Sequence, residues 1–121
     1  MTALLLGALA AAGLPSPASA HPRRITTVYN TGTDPQRTTA VAELDMEHEG
    51  VMKITLFKRV NGNWRKVKTK TAQQSEIDPA WYKADFFRPN TNGKCQFRAA
   101  FTTPDHDTSK KRTGGFYCRA S

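Results

Sequence analysis

From residue 40 onward, apolar side chains recur at every second position. Ala40, Ala42, Leu44 and Met46 alternate with Val41, Glu43, Asp45 and Glu47, the pattern of a strand that buries one face. Glu47-His48-Glu49-Gly50 turns the chain. Met52, Ile54 and Leu56 then point one way, with Lys53, Thr55 and Phe57 opposite. Asn61-Gly62 follows, the dipeptide that accepts positive φ at both central positions of a type I′ turn, so two antiparallel strands are predicted over about 51–60 and 63–70. Trp64 and Val67 have opposite parity, which requires either a bulge or the exposure of one of them.

Thr71 to Pro79 is polar and reads as a connection across the fold. Tyr82, Ala84 and Phe86 alternate with Trp81, Lys83, Asp85 and Phe87, and Arg88 to Gly93 forms a turn. Cys95, Phe97, Ala99 and Phe101 share one face of the next strand, opposite Lys94, Gln96 and Arg98. Gly115 to Arg119 makes a short last strand in which Phe116 and Cys118 share a face. No segment keeps a helical period over three turns. An all-β chain of about six or seven short strands separated by turn signals predicts an antiparallel β-sandwich.

The N-terminal part differs. Leu4 to Leu14 is an apolar run too short to span a bilayer, broken by Pro15 and Pro17 and followed by Ala18-Ser19-Ala20, the small residues of a signal-peptide cleavage site. Residues 1–20 are therefore expected to be a signal peptide, and His21 the new N-terminus of a secreted, extracellular protein with no transmembrane segment in its mature part. The leader lacks the usual Lys or Arg, which leaves a start further upstream open. Residues 21–36 are rich in Thr, Gly, Pro and Asn and read as a lead-in, with one edge strand at 25–29. Residues 37–121 form the sandwich domain.

A domain of this size with few Leu, Ile and Val has a thin core. Cys95 and Cys118, the only cysteines, fall on the apolar phases of their strands. In an exported chain they are expected to pair, which is worth roughly 3 to 4 kcal/mol by loop-closure entropy. All 18 Lys and Arg follow the predicted cleavage point and outnumber 10 Asp and Glu, giving a net charge of +8. Such a domain attracts polyanions: wall teichoic acids, anionic lipid surfaces, acidic polysaccharides or extracellular nucleic acid.

The chain resembles the immunoglobulin-like β-sandwich modules of small secreted actinobacterial proteins. The residues that carry the likeness are Ile54, Leu56, Lys58, Arg59, Gly62, Trp64 and Val67, then Gly93, Cys95, Phe97, Arg98, Ala99 and Phe101, then Asp105-His106-Asp107 with Ser109. The resemblance spans about residues 51 to 118 and implies an immunoglobulin-like fold with Trp64 as a core residue. Such modules usually carry Tyr in place of Cys95, and the departure implies a disulfide-bearing branch. No shared catalytic apparatus comes with the resemblance.

Among groups that carry chemistry, the basic cluster is the most specific. Lys58, Arg59, Arg65, Lys66, Lys68 and Lys70 lie on the arms of the predicted hairpin, and Lys110, Lys111 and Arg112 in a loop before the last strand. Together they predict a positive surface for an anionic extracellular polymer, a cell-wall component, nucleic acid or another protein. Trp81 and Phe87, on the polar phase of their strand, are candidate stacking surfaces for sugar or base. The expected function is a non-catalytic binding or surface-interaction module that needs no cofactor.

The competing class is a small secreted ribonuclease, with Glu43 or Glu47 as base and His48 or His106 as acid. A toxin or protease inhibitor is a third class, although one bridge gives little support to the rigid loop an inhibitor presents. Asp45, Glu47, His48 and Glu49 near one turn, and Asp105, His106 and Asp107 near another, match no defined metal spacing. There is no G-x-S-x-G elbow and no phosphate-binding glycine loop.

Overall fold

The computed structural model describes residues 24–120. The predicted signal peptide lies outside the described residues. Among the described residues nine strands follow one another: β1 (Ile25–Thr31), β2 (Arg37–Leu44), β3 (Val51–Val60), β4 (Asn63–Thr71), β5 (Gln73–Gln74), β6 (Trp81–Phe87), β7 (Lys94–Thr102), β8 (Thr108–Arg112) and β9 (Phe116–Tyr117). They form two antiparallel sheets, one of four strands in the order β1-β2-β6-β5 and one of five in the order β4-β3-β7-β8, with β9 also paired to β7. The sheets pack as a sandwich.

The alternating positions meet in the core. Met52, Ile54 and Leu56 of β3 and Phe97 and Phe101 of β7 have no exposed surface. They face Ile25, Ala40, Ala42, Tyr82 and Phe86 of the other sheet. Phe86 packs on Phe97 at 5.0 Å between ring centroids, and Tyr82 on Phe101 at 5.8 Å. Each fully buried aliphatic or aromatic side chain here contributes about 1.5–3 kcal/mol by leaving water, so these rings supply what the few aliphatics cannot. β1, in the segment read as a lead-in, contributes Ile25 and Val28 to this core.

The hairpin forms as predicted, with Asn61 at φ 52° and Gly62 at φ 82° and Val60 opposite Asn63. The register slips between Leu56/Lys68 and Phe57/Lys66, so Val67 is the extra residue of a bulge. Val67 is exposed and Trp64 half-buried. The expectation of a core Trp64 is thus corrected: it sits on the outer side of an edge hairpin, with the Arg59 guanidinium 5.5 Å from its ring centroid. Met46, expected in the apolar phase, is 61% exposed because β2 ends at Leu44, whereas Val41 on the outer phase is buried between Tyr29 and Lys83 of the flanking strands.

The second correction concerns residues 108–112, expected in a loop. They form β8, antiparallel to the C-terminal half of β7. The segment Thr-Ser-Lys-Lys-Arg has no apolar alternation to announce a strand. It is held by ladder hydrogen bonds and by contacts from β1: the Ile25 amide donates to Ser109 Oγ, and Arg24 pairs with Asp107 at 2.6 Å. β9 then continues along the other half of β7. Between them Thr113, 7% exposed, keeps the ladder unbroken. Its amide donates to the Phe97 carbonyl, its hydroxyl accepts from the Phe97 amide at 3.0 Å, and its carbonyl accepts from Gln96 Nε2.

Cys95 and Cys118 are bridged, with Cα atoms 4.8 Å apart. Cys95 lies opposite Phe116, and the Cys118 amide donates to the Gly93 carbonyl, so the disulfide ties β7 to the residue just past β9, a strand shorter than the one expected over 115–119. Arg88 reinforces the same end by donating to the carbonyls of Gly32, Asp34, Arg37, Tyr117 and Cys118. Partial burial holds its pKa below the ordinary arginine value.

Candidate functional site

Strand register sorts the cations by face. On the outer side of the five-stranded sheet, β3 contributes Lys53, Thr55, Phe57 and Arg59. Opposite them on β4 stand Thr71, Thr69, Lys66 and Trp64. On β7 the outward residues are Ala100, Arg98, Gln96 and Lys94, and β8 adds Lys110 and Arg112. This face therefore carries seven cations, Lys53, Arg59, Lys66, Lys94, Arg98, Lys110 and Arg112, and no carboxylate on any of its strands. The outer side of the four-stranded sheet is balanced instead, with Arg37 and Lys83 against Glu43 and Asp85. The net charge is thus concentrated as a one-signed field on one sheet.

Three cations on this face are held against rings. Arg98 lies over Phe57 at 4.0 Å, Arg59 over Trp64 at 5.5 Å and Lys94 over Tyr117 at 4.6 Å, geometry in which the ring quadrupole attracts the charge. Arg98 is further oriented by donating from Nε to Gln96 Oε1 at 2.8 Å. Gln96 is itself tied to Thr113 through the hydrogen bond described above. The guanidinium is thus positioned by the protein's own side chains. Arg112 stands directly opposite Arg98, and Lys53 and Lys110 flank Ala100 one row away. Like charges directly opposite one another destabilise a cross-strand pair. Among the described residues none of these four cations is paired with a carboxylate. The small side chain of Ala100 leaves a shallow depression of about 560 Å³ between them, walled also by Thr55, Phe57 and Thr69.

The residues expected to form the basic surface divide between two faces. Arg59, Lys66, Lys110 and Arg112 lie on the outer face. Lys58, Arg65, Lys68, Lys70 and Lys111 stand on the core-facing phase of their strands, Lys58 at the end of the inner strand β3 and the others on the edge strands β4 and β8. Lys70 shows the consequence: its ammonium reaches across to donate to the Asp85 carbonyl and lies 5.4 Å from the Phe86 ring centroid. Lys53, Lys94 and Arg98 belong to the outer face although they were outside the expected cluster. The signal for them was their polar phase in strands whose other phase is apolar.

Trp81 and Phe87 are exposed, 41% and 69%, on the outer side of the four-stranded sheet. Arg37 covers one face of Phe87 at 4.9 Å, and Trp81 stands opposite Glu43. Beside β5 this sheet has a larger concavity, about 720 Å³, lined by Gln73, Gln74, Ser75, Glu76, Lys83 and Asp85. Its mixed charges create no field of one sign.

Of the residues considered for chemistry, Glu43 and His48 have local side-chain partners. Glu43 accepts a hydrogen bond from the Tyr29 hydroxyl at 2.9 Å, which raises the phenol's pKa. His48 Nε2 lies 2.8 Å from Asp45 Oδ1, and the burial of Tyr82, with Glu47 nearby, raises that phenol. His106, at φ 69°, shares a shallow depression with Glu49. Asp105 is held below the usual carboxylate range, chiefly by the hydrogen bond it accepts from the Thr103 hydroxyl. Among the described residues no group of three or more His, Cys, Asp or Glu side chains converges as a metal site would require. No protein-family model matches the chain, and comparison with curated proteins gives no match.

Proposed function

We propose that this chain is an exported, immunoglobulin-like binding module that acts without catalysis, taking an anionic extracellular polymer on the outer face of its five-stranded sheet. The observation that carries this reading is the segregation of charge: seven cations without a carboxylate on one sheet face, against two of each sign on the other. A protein that needed positive charge only for solubility would gain nothing from collecting it on one flat surface, where self-repulsion costs stability. The strand orders support the immunoglobulin-like part of the reading, since they correspond to that fold's ABED sheet and its GFC sheet extended by C′. The disulfide departs from antibody domains by lying within one sheet. It supports export to an oxidising compartment.

The test compares two double variants that remove equal charge. Lys110→Gln/Arg112→Gln alters the outer face, whereas Arg65→Gln/Lys68→Gln alters the core-facing phase of β4. Retention on purified cell wall and on an acidic polysaccharide is measured across ionic strength. The outer-face variant should elute at clearly lower salt, and the β4 variant close to the unmodified protein. Equal losses in the two variants would reduce the interaction to bulk charge, and no retention of the unmodified protein even at low salt would remove the proposal.

A further inference from the structure

The four-stranded sheet leaves part of one strand unpaired. All seven residues of β6 pair with β2, but only Tyr82 and Lys83 pair with β5 on the other side. Hydrogen bonds fix the direction of each backbone group. The Arg88 amide donates to the Gln36 carbonyl on the β2 side, and the Trp81 carbonyl accepts from the Ser75 amide on the β5 side. The odd-numbered residues of β6 therefore turn their N–H and C=O groups away from β2. The chain that would extend β5 alongside them belongs to the other sheet instead: the Ala72 amide donates to the Met52 carbonyl, and Thr71 pairs with Lys53. Among the described residues no strand pairs with Asp85 and Phe87 on this edge. It borders the concavity of about 720 Å³ that Lys70, Thr71, Ala84 and Asp85 help to line.

Lys70 reaches into this edge from β4. Its Nζ donates to the Asp85 carbonyl at 2.5 Å, in a solvent-exposed contact that takes one position of the missing strand. The Asp85 N–H and both backbone groups of Phe87 stay open, as on an edge that accepts another chain. Such edges take extended peptides by strand addition, with main-chain hydrogen bonds giving affinity and alternate side chains giving specificity. Charge selects the peptide here. Lys68 and Arg65 share the phase of Lys70 on β4, and among the described residues none of the three is paired with a carboxylate. Alternate side chains of an added strand point inward, toward the side from which Lys70 reaches across. A carboxylate there takes up the Lys70 ammonium as it leaves Asp85. We infer that the edge of β6 at residues 84–87 is a docking site for an extended acidic segment of a partner protein, with Lys70 as its latch. This edge is separate from the basic outer face, and the inference stands independently of the proposed function.

Three short peptides test this: one of alternating Glu and Thr, its N-methylated analogue, which keeps the charge but loses the amide donors, and one of alternating Lys and Thr. Affinity is read by fluorescence anisotropy, and the site by hydrogen exchange of the Asp85 and Phe87 amides. The acidic peptide should bind and protect both amides, and the other two should bind at least about tenfold more weakly, having lost several hydrogen bonds or the charge match. Phe87→Pro removes one edge donor and leaves the Arg88–Gln36 bond to β2 in place. It should weaken the acidic peptide about fivefold, whereas Phe87→Thr, which keeps the donor, should change it by no more than about twofold. The N-methylated analogue decides the question on the unmodified protein even if Phe87→Pro folds poorly. An acidic peptide that leaves both amides unprotected, or that binds no better than the other two peptides, would overturn the site. Weakening by Lys110→Gln/Arg112→Gln in place of Phe87→Pro would overturn it by moving the peptide to the basic outer face. Protection of the two amides that rises with protein concentration in the absence of peptide would overturn it in favour of pairing between two copies of this chain.

Discussion

Replacing Thr113 with Val keeps the side-chain shape and raises both hydrophobicity and strand propensity, yet it should destabilise the domain. The Thr113 hydroxyl accepts the Phe97 amide proton at 3.0 Å in the middle of β7, where Phe97 itself is fully buried and β8 has already left the ladder. Valine offers no acceptor, and an orphaned buried N–H costs about 1–3 kcal/mol. The added methyl returns at most about 0.8 kcal/mol. The balance is a loss of about 1 kcal/mol, which in a domain of this size lowers Tm by roughly 4–8 °C.

Urea unfolding should show a lower midpoint with an unchanged slope, because the surface exposed on unfolding is the same. Hydrogen exchange locates the effect: the Phe97 amide should lose protection beyond the global change in Thr113→Val and keep it in Thr113→Ser, which retains the hydroxyl. A valine variant as stable as the parent, with the Phe97 amide still protected, would show that the hydroxyl is not what bridges the gap between β8 and β9.

Three other outcomes are expected. Replacing both Cys95 and Cys118 with Ala should cost about 2–5 kcal/mol, seen as a large drop in Tm, and two titratable thiols in the oxidised, unfolded parent would contradict the bridge. Gly50→Ala should lose about 1–3 kcal/mol through overpacking, because a Cβ there would lie 2.5 Å from the Thr102 carbonyl oxygen and 2.6 Å from the Phe101 ring. Gly114→Ala, with nothing within 4 Å, serves as the control and should stay within about 0.5 kcal/mol. Finally, Thr103→Val should raise the Asp105 pKa toward the ordinary carboxylate value in an NMR titration, since the Thr103 hydroxyl is the main cause of its depression. A depressed folded pKa means that this interaction stabilises the fold above the unfolded carboxylate pKa and is lost as pH falls through the folded value; an Asp105 titration unmoved by the substitution would refute the assignment.

Local chemistry made much of this fold legible. Period-two alternation located β2, β3, β6 and β7 because each has one face in the core. Asn61-Gly62 set the hairpin because few other residues accept its backbone angles, and the opposite parity of Trp64 and Val67 required a bulge or an exposed side chain, both of which the structure has. The pairing of Cys95 with Cys118 was expected because they are the only two cysteines of a chain read as exported, and the structure bridges them.

What the sequence could not decide was whatever depends on a strand's neighbours. β8 has no apolar alternation and is a strand only because the edge of β7 and contacts from β1 hold it. Met46 and Val41 reversed their expected exposure because strand length and flanking strands, not phase alone, govern burial. The basic surface shows the same division. The number of cations is a property of composition, but the face each one occupies follows from cross-strand register. That register moved Lys68 and Lys70 away from the surface that Lys53, Lys94 and Arg98 complete. Only pairing of β3, β7 and β8 set Arg112 opposite Arg98, residues that are remote along the chain and adjacent in the sheet.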